Sequence, residues 1–269
     1  MDGAGYTTSI ILLNTSTLTE TGLLRIKDSD GNPLVVTQVG GTTDSLFPYS
    51  IAPGGLYRFQ TDGFPTELSK GWVQLIPDTG ASTPVGSGVF SYNPDELLIS
   101  ESGIPAATAT THARIYADLS GQYNTGLAIA NVSGSGSSIT IQAFQMDGVT
   151  AAGTSNGPVL LSPNGYNAAF ADEFVSGLPE GFTGVLDITS ASPFAALTIR
   201  MLMESGGNFV MTTFPVADVN QTAPSPVVFP RIADGDGYTT EFILLSPGGA
   251  ASTTLSLYDQ DGTPMGIEP

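Results

Sequence analysis

The chain has 269 residues, of which 41% are hydrophobic, so it is long and apolar enough to fold into two domains with proper cores. A formal charge of −18, with only seven Lys and Arg, argues against nucleic acid and anionic membrane surfaces as partners. The lack of cysteine excludes disulfides, thiolate metal sites and cysteine nucleophiles. No apolar run approaches the ~20 residues of a membrane span, and no signal peptide opens the chain, so an exported form would have lost its leader.

One stretch occurs three times along the chain. The copies share an opening Tyr and an alternating apolar run, and they occupy residues 6–14, 123–131 and 238–246. They lie 117 and 115 residues apart, and a period of this size predicts tandem copies of one β-rich unit. We therefore divide the chain into repeat 1 (1–110), repeat 2 (111–230) and a partial repeat 3 (231–269). The partial repeat is a surplus pair of strands, too short to bury a core by itself.

Short alternating segments separated by Gly- and Pro-rich turns predict an all-β fold of tandem antiparallel β-sandwiches, ending in a C-terminal β-hairpin. In repeat 1 the strand candidates are residues 8–13, 22–28, 33–36, 49–52, 56–60, 72–76, 85–92 and 97–100. We expect Leu24 and Ile26 to point into the core while Arg25 and Lys27 face solvent. The inward-facing set predicted for the two repeats is Ile10, Leu12, Leu24, Ile26, Leu127, Ile129 and Ile141.

The outer face of the recurring strand differs between the copies. Repeats 1 and 3 carry bulky apolar residues where repeat 2 carries alanine. A strand that is apolar on both faces is normally covered on both, so this face is predicted to be an assembly face. Its residues are Ile11, Leu13, Ile243 and Leu245.

Each copy of the strand is followed by an Asp-Gly pair that fits a two-residue hairpin turn with φ > 0 at both central residues. These pairs are Asp30 and Gly31, Asp147 and Gly148, and Asp261 and Gly262. Calcium is an alternative for such oxygen-rich turns, either at Asp28, Asp30 and Asn32 or at Asp234 and Asp236. The spacing is not that of an EF-hand loop, and only the turn pair recurs in all copies, so turn chemistry is favoured. We expect no other cofactor.

No convergent catalytic set emerges from the sequence. His112, the only histidine, falls in the predicted linker between repeats 1 and 2 and is interpreted as a solvated residue. The adjacent acids Asp95-Glu96 and Asp172-Glu173 are interpreted as polar loops rather than a glycosidase pair. Trp72 corresponds to an apolar strand residue of repeat 2 and is predicted to be in the core. The N-glycosylation pattern occurs at Asn14, Asn131 and Asn220.

Four short motifs together resemble a repeat of uncharacterised function in large secreted proteins of environmental bacteria. They are Gly-Tyr-Thr-Thr-x-x-x-Leu-Leu at residues 5–13, Asp-Gly-x-Pro at 30–33, Pro-Gly-Gly at 53–55 and Gly-Trp-Val-Gln at 71–74. The resemblance covers nearly the whole chain. It implies an extracellular immunoglobulin-like β-sandwich, and it supplies no catalytic residues.

The sequence therefore predicts an extracellular or cell-surface, non-enzymatic structural protein. Its copies would associate head to tail through β-strand contacts, with the C-terminal segment of one subunit docking on the first repeat of the next and building a filament. The simpler rival is a C-terminal segment that folds back on repeat 2 of its own chain. The alternative function is a carbohydrate-binding or adhesive module that contacts cell-surface glycans, and a glycosidase is a weaker one.

Overall fold

The computed structural model describes residues 1–222, 225–246 and 252–266, and the described protein is all-β, as predicted. One 3-10 turn, Pro94–Glu96, and one short helix, α1 (Ala171–Phe174), interrupt the strands. The strands of repeat 1 are β1 (Tyr6–Leu13), β2 (Glu20–Lys27), β3 (Val36–Thr37), β4 (Thr43–Asp44), β5 (Leu46–Ile51), β6 (Leu56–Gln60), β7 (Trp72–Pro77), β8 (Val85–Tyr92) and β9 (Ser100–Pro105). The strands of repeat 2 are β10 (Thr110–Asp118), β11 (Tyr123–Asn131), β12 (Ser137–Gln145), β13 (Ala151–Ala152), β14 (Thr154–Ser155), β15 (Val159–Leu161), β16 (Tyr166–Phe170), β17 (Val175–Ser176), β18 (Thr183–Met203), β19 (Phe209–Thr212) and β20 (Ala217–Asp218).

Repeat 1 consists of two main antiparallel sheets that share one core. Their strand orders are β6-β1-β8-β9 and β5-β2-β7. Leu12 of β1 and Phe59 of β6 meet Leu24 of β2 and Phe47 of β5 in a single buried cluster, because alternate residues of each strand face inward. The core therefore lies between the two sheets.

Repeat 2 has counterparts of these strand pairings and adds the strands β10, β13 and β20, but one long strand joins its two halves. The first half of β18 pairs with β12 and β10, and its second half pairs with β11 and β19. The corresponding strands of repeat 1, β7 and β8, are separated by a connection that is three residues longer. The shorter connection lets the chain continue as one strand, so repeat 2 closes around its core as a nine-stranded sheet.

The predicted inward faces are largely confirmed. Every residue of the inward-facing set is buried except Ile10, which is half-buried and packs against the core of repeat 1. Lys27 was expected to face solvent and is buried instead, since its side chain extends over the Trp72 ring with Nζ at 5.9 Å from the ring centroid. The last strand of repeat 1 is Ser100–Pro105 rather than residues 97–100.

The same reciprocal pair of hydrogen bonds occurs near the start of all three copies of the recurring stretch, at residues 6–14, 123–131 and 238–246. Thr8 Oγ1 donates to the carbonyl oxygen of Met1 at 2.6 Å, and Thr125 and Thr240 make the same bond to Asp118 and Ala233 at 3.2 and 2.8 Å. In each case the backbone or terminal nitrogen of the partner donates back to the threonine hydroxyl. The repeat read from the sequence is thus visible in the hydrogen bonds of all three copies.

The chain divides into two compact units, residues 1–222 and 223–269, and the first contains repeat 1 and most of repeat 2. In the second unit the predicted hairpin is not formed among the described residues: they contain two isolated bridges, Gly235 to Tyr238 and Tyr258 to Pro264, and no strand. Residues 247–251 and 267–269 of the predicted third repeat lie outside the described residues. No helix in the described ranges is long and apolar enough to cross a membrane.

Candidate assembly surface

Repeat 1 contacts repeat 2 through a turn at residues 28–32, which lies on a loop at residues 163–166. The amide of Tyr166 donates a hydrogen bond of 3.0 Å to the carbonyl oxygen of Ser29. Gly31 approaches the loop so closely that a Cβ at this position would overlap the carbonyl oxygen of Pro163. Conversely, a Cβ on Gly165 would lie 2.7 Å from the Ser29 carbonyl oxygen. Two glycines therefore permit a close backbone-to-backbone contact.

Trp72 adds a side-chain bond to the same contact. Its indole Nε1 donates to the carbonyl oxygen of Asn164 at 2.8 Å, and the side chain is half-buried. The prediction of a core tryptophan is therefore wrong. Alternation along a strand identifies an apolar position, but it does not show that the ring meets a loop 92 residues away in the chain.

The geometry of turn 28–32 is set by the Asp28 carboxylate. Its Oδ1 accepts hydrogen bonds from the amides of Asp30 at 3.0 Å and Asn32 at 2.8 Å. Gly31 has φ of 87°, whereas Asp30 is not among the residues with positive φ. The turn is therefore a three-residue loop with one left-handed glycine, and the prediction of two positive φ angles is wrong here. In the other two pairs, likewise, only Gly148 and Gly262 have positive φ.

The same bonds bear on the calcium alternative. Asp28 uses Oδ1 to hold the turn, and the described residues contain no group of three or more His, Cys, Asp or Glu side chains arranged around a metal position. Asp234 and Asp236 lie in the C-terminal unit, where Asp236 has φ of 51° in the tight turn between Gly235 and Gly237. Turn geometry accounts for these aspartates, and calcium is not proposed.

A second contact between the repeats involves β9 and β19. The amide of Met211 donates to Ser100 Oγ at 3.2 Å, and Thr213 Oγ1 donates to the Gly103 carbonyl oxygen at 2.8 Å. Tyr92 and Phe209 stack with their ring centroids 5.2 Å apart. Two separate sets of contacts thus join repeat 1 to repeat 2.

Repeat 1 carries its own copy of the acceptor loop, at residues 53–56. At both loops the asparagine at the end of the neighbouring strand donates an equivalent backbone hydrogen bond. Asn14 N donates to Gly55 O at 3.0 Å, and Asn131 N donates to Gly165 O at 2.9 Å. This register directs the amide of residue 56, like that of Tyr166, away from the neighbouring strand. Loop 53–56 therefore shares these bonds with the loop that is occupied in repeat 2, although the Gly54 amide donates to Asn14 O whereas the Asn164 amide donates to Ser133 O.

Beside loop 53–56 lies an apolar patch, which we name the outer patch: Leu13, Leu56 and Val85. These residues are directly opposite one another on β1, β6 and β8, and they are 42%, 67% and 56% exposed. Their counterparts in repeat 2, beside the occupied loop, are Ala130, Tyr166 and Ala195, which are buried or half-buried. The outer patch is thus larger, more apolar and more exposed than the equivalent surface in repeat 2.

Two of the four predicted assembly residues lie at this surface. Leu13 belongs to the outer patch, and Ile11 is half-buried on the same face of β1. Ile243 and Leu245 are half-buried in the C-terminal unit. Leu56 and Val85 were not predicted, because only the strand register brings them beside Leu13.

The predicted glycosylation sites at the two strand ends are not accessible. Asn14 and Asn131 are 1% and 0% exposed. Asn14 Nδ2 donates to the carbonyl oxygens of Leu18 and Ile51 at 2.7 and 2.8 Å, so both amide hydrogens are used. Asn131 Nδ2 makes the equivalent pair of bonds. The folded protein therefore leaves no room for a glycan at either residue. Asn220 is exposed, and its Nδ2 contacts the hydroxyls of Thr110 and Thr111.

His112 lies in strand β10 rather than in a linker. Its Nε2 is 3.0 Å from the Asp187 carboxylate, which also accepts a bond of 2.6 Å from Arg114 Nε. These residues form a charged cluster on the face of a sheet.

The two acid pairs are elsewhere: Glu173 Oε2 accepts a bond from the Phe170 amide at the start of α1, and Asp95 and Glu96 are exposed. The structure does not bring His112 and the acid pairs together.

No family model, curated protein or solved structure matches the chain. The resemblance to a secreted bacterial repeat therefore stays a prediction.

Proposed function

We propose that the protein is a non-enzymatic structural protein whose copies associate head to tail in an extracellular or cell-surface assembly. The observation that carries this proposal is the pairing of an occupied loop in repeat 2 with an equivalent, exposed loop in repeat 1. A loop that is covered in repeat 2 and exposed in repeat 1 suits a heterologous contact between copies. Such a contact repeats without closing and so produces a filament.

The proposed architecture is a tandem of immunoglobulin-like β-sandwiches. In support, the sheets of repeat 1 share a single core, and repeat 2 has counterparts of these strand pairings around a second core. Two sheets packed over a common core are the defining feature of such sandwiches. In this proposal the contacts between repeats hold the tandem at a fixed geometry, which a load-carrying filament needs.

The exposed patch supports association over the alternative function. Carbohydrate-binding surfaces need exposed aromatic rings, because sugars stack on them. Among the described residues the exposed large aromatic side chains are Phe64, in a loop of repeat 1, and Phe229, Tyr238 and Tyr258 in the C-terminal unit, and none of them lies in a strand. The outer patch itself is aliphatic, although the exposed Arg58 and Ser87 lie beside it on the same sheet face, and aliphatic patches favour protein contacts.

Sedimentation velocity over a range of protein concentrations tests the proposal. We expect the weight-average sedimentation coefficient of the full chain to rise with concentration, and electron microscopy to show linear particles. Leu13→Ser should suppress both, whereas Leu160→Ser, at an exposed leucine of β15 in repeat 2, should suppress neither. A full chain that stays monomeric at the highest concentration reached contradicts the proposal. High salt should strengthen association, because copies with a charge of −18 repel one another.

A further inference from the structure

We infer that the exposed loop 53–56 of one copy receives the turn at residues 259–263 of a second copy. This inference rests on the proposed function, and it identifies which segment would dock.

Turn 259–263 has the same internal hydrogen bonds as the docked turn 28–32. Asp259 Oδ1 accepts from the amides of Asp261 at 3.0 Å and Thr263 at 2.8 Å, which matches the bonds of Asp28. The Gly262 amide donates to the Asp259 carbonyl oxygen at 3.1 Å, and the Gly31 amide donates to Asp28 in the same way at 3.2 Å. Gly262 has φ of 80°, close to the 87° of Gly31.

The agreement continues beyond the turn itself. An isolated bridge joins Tyr258 to Pro264, as Lys27 is joined to Pro33. The amide after each proline also donates back across the turn, Met265 to Leu257 at 2.9 Å and Leu34 to Ile26 at 3.0 Å. Turn 259–263 is therefore preformed in the conformation that docks, so association would not have to order it.

The corresponding turn of repeat 2, at residues 145–150, is different. Its stabilising carboxylate is Asp147, which accepts from the amides of Val149 and Thr150, and Gln145 stands where Asp28 stands in repeat 1. A Cβ on Gly148 would lie 3.6 Å from Nη1 of Arg114 in the same repeat. A Cβ on Gly262 would have nothing within 4 Å. Turn 259–263 therefore resembles the docked turn 28–32 more closely than turn 145–150 does, and the space around its glycine is unobstructed.

The docking contact itself uses mostly backbone groups, so it can be carried over to the second site. In the occupied site the donor is the Tyr166 amide and the acceptor is the Ser29 carbonyl oxygen. At the exposed site the equivalent groups are the amide of Leu56 and the carbonyl oxygen of Gln260. The outer patch supplies apolar area beside this bond, in place of the single indole bond that Trp72 provides inside the chain.

Two variants test the inference, and each blocks one side of the proposed contact. Gly262→Asn should block the turn, because asparagine tolerates positive φ while its Cβ would overlap loop 53–56 as a Cβ on Gly31 would overlap Pro163. Leu56→Glu should block the loop. Each variant should raise the apparent Kd for association about tenfold or more in sedimentation velocity. The matched controls are Gly80→Asn, at an exposed glycine with φ of 87° and no neighbour within 4 Å, and Leu160→Glu.

Mixing the two variants gives the sharper result. The free loop of Gly262→Asn and the free turn of Leu56→Glu should pair once, so the mixture should form dimers that do not extend. If the full chain associates and Gly262→Asn associates equally well, the inference is wrong while the proposed function stands. The inference is also wrong if both variants weaken association but their mixture stays monomeric. A full chain that is monomeric throughout contradicts the proposed function itself.

Discussion

Trp72 Nε1 donates a hydrogen bond of 2.8 Å to the Asn164 carbonyl oxygen, and this bond ties repeat 1 to repeat 2. Trp72 is the only tryptophan of the chain, so its fluorescence reports on this contact alone. The nearby Gly31 makes the contact possible, since a side chain there would overlap Pro163. Tryptophan emission of variants at Gly31 therefore measures how firmly turn 28–32 is held against loop 163–166.

Gly31→Ala should open the contact between turn 28–32 and loop 163–166 without unfolding either core or breaking the second contact between β9 and β19. We expect tryptophan emission to shift to longer wavelength, because the indole would become exposed to water. Gly80→Ala is the control, since both glycines have φ of 87° but Gly80 has no neighbour within 4 Å. It should cost about 1–2 kcal/mol of backbone strain and leave the emission unchanged. Equal effects of the two substitutions would show that the contact contributes nothing.

Asn14→Ala should lower the free energy of unfolding by about 2 kcal/mol or more. The substitution removes the bond to the buried Ile51 carbonyl and one of the two bonds to the Leu18 carbonyl, which keeps Ser16 Oγ at 3.0 Å, and an unpaired buried group costs about 1–3 kcal/mol. Asn131→Ala should have an effect of similar size, because its bonds are equivalent. Urea unfolding measures both, with Asn220→Ala as the exposed control. A change in Asn14→Ala no larger than that in the control would contradict the structural role.

Leu12→Ala and Leu13→Ala should differ strongly although the two residues are adjacent. Leu12 is fully buried, so its truncation should cost about 2–5 kcal/mol of monomer stability. Leu13 is exposed, so its truncation should change the monomer by no more than about 0.5 kcal/mol. Urea unfolding at a concentration below association provides the comparison. A large loss of monomer stability for Leu13→Ala would place that residue in the core and remove it from the outer patch.

The sequence predicts the repeat, the all-β class and the inward faces because these depend on local periodicity. Leu12, Leu24 and Ile129 were all assigned to the core from alternation alone, and all three are buried. His112 shows where local patterns fail. The polar stretch around it indicated a linker, but the residue lies in a strand because β10 finds its partner in β18, far along the chain.

The candidate surface could be predicted only in part for the same reason. Leu13 was identified because it is apolar on an outward position, whereas Leu56 and Val85 join it through strand register. Likewise, Asn14 matches a glycosylation pattern, but only its folded environment shows that both amide hydrogens are already donated. The predicted third repeat retains its turns while its predicted strands are not formed in the described residues, which agrees with a segment too short to bury a core.

The pH dependence of repeat 2 should centre on Asp118. Its Oδ2 accepts from Arg200 Nε and Nη2 at 2.9 and 2.6 Å, and its Oδ1 accepts from the amide and hydroxyl of Ser120. Burial alone would raise the pKa of Asp118, but the bonds from Ser120 and Arg200 outweigh it and hold the pKa below its usual range. Because the pKa is lower in the folded protein, the carboxylate stabilises the fold above its unfolded pKa of about 4. This stabilisation is lost as the pH falls through the folded value.

Asp118→Asn should therefore remove part of the acid sensitivity of the protein. At pH 7 the substitution should cost about 3–5 kcal/mol, because it leaves the partly buried Arg200 guanidinium without its counter-charge. Below pH 4 the difference between variant and parent should shrink, since the parent carboxylate becomes protonated as well. Urea unfolding at pH 7, 4 and 3 measures the difference, and Asp172→Asn, at an exposed aspartate of α1, is the control. A difference that stays constant from pH 7 to pH 3 would mean that Asp118 acts through packing and not through its charge.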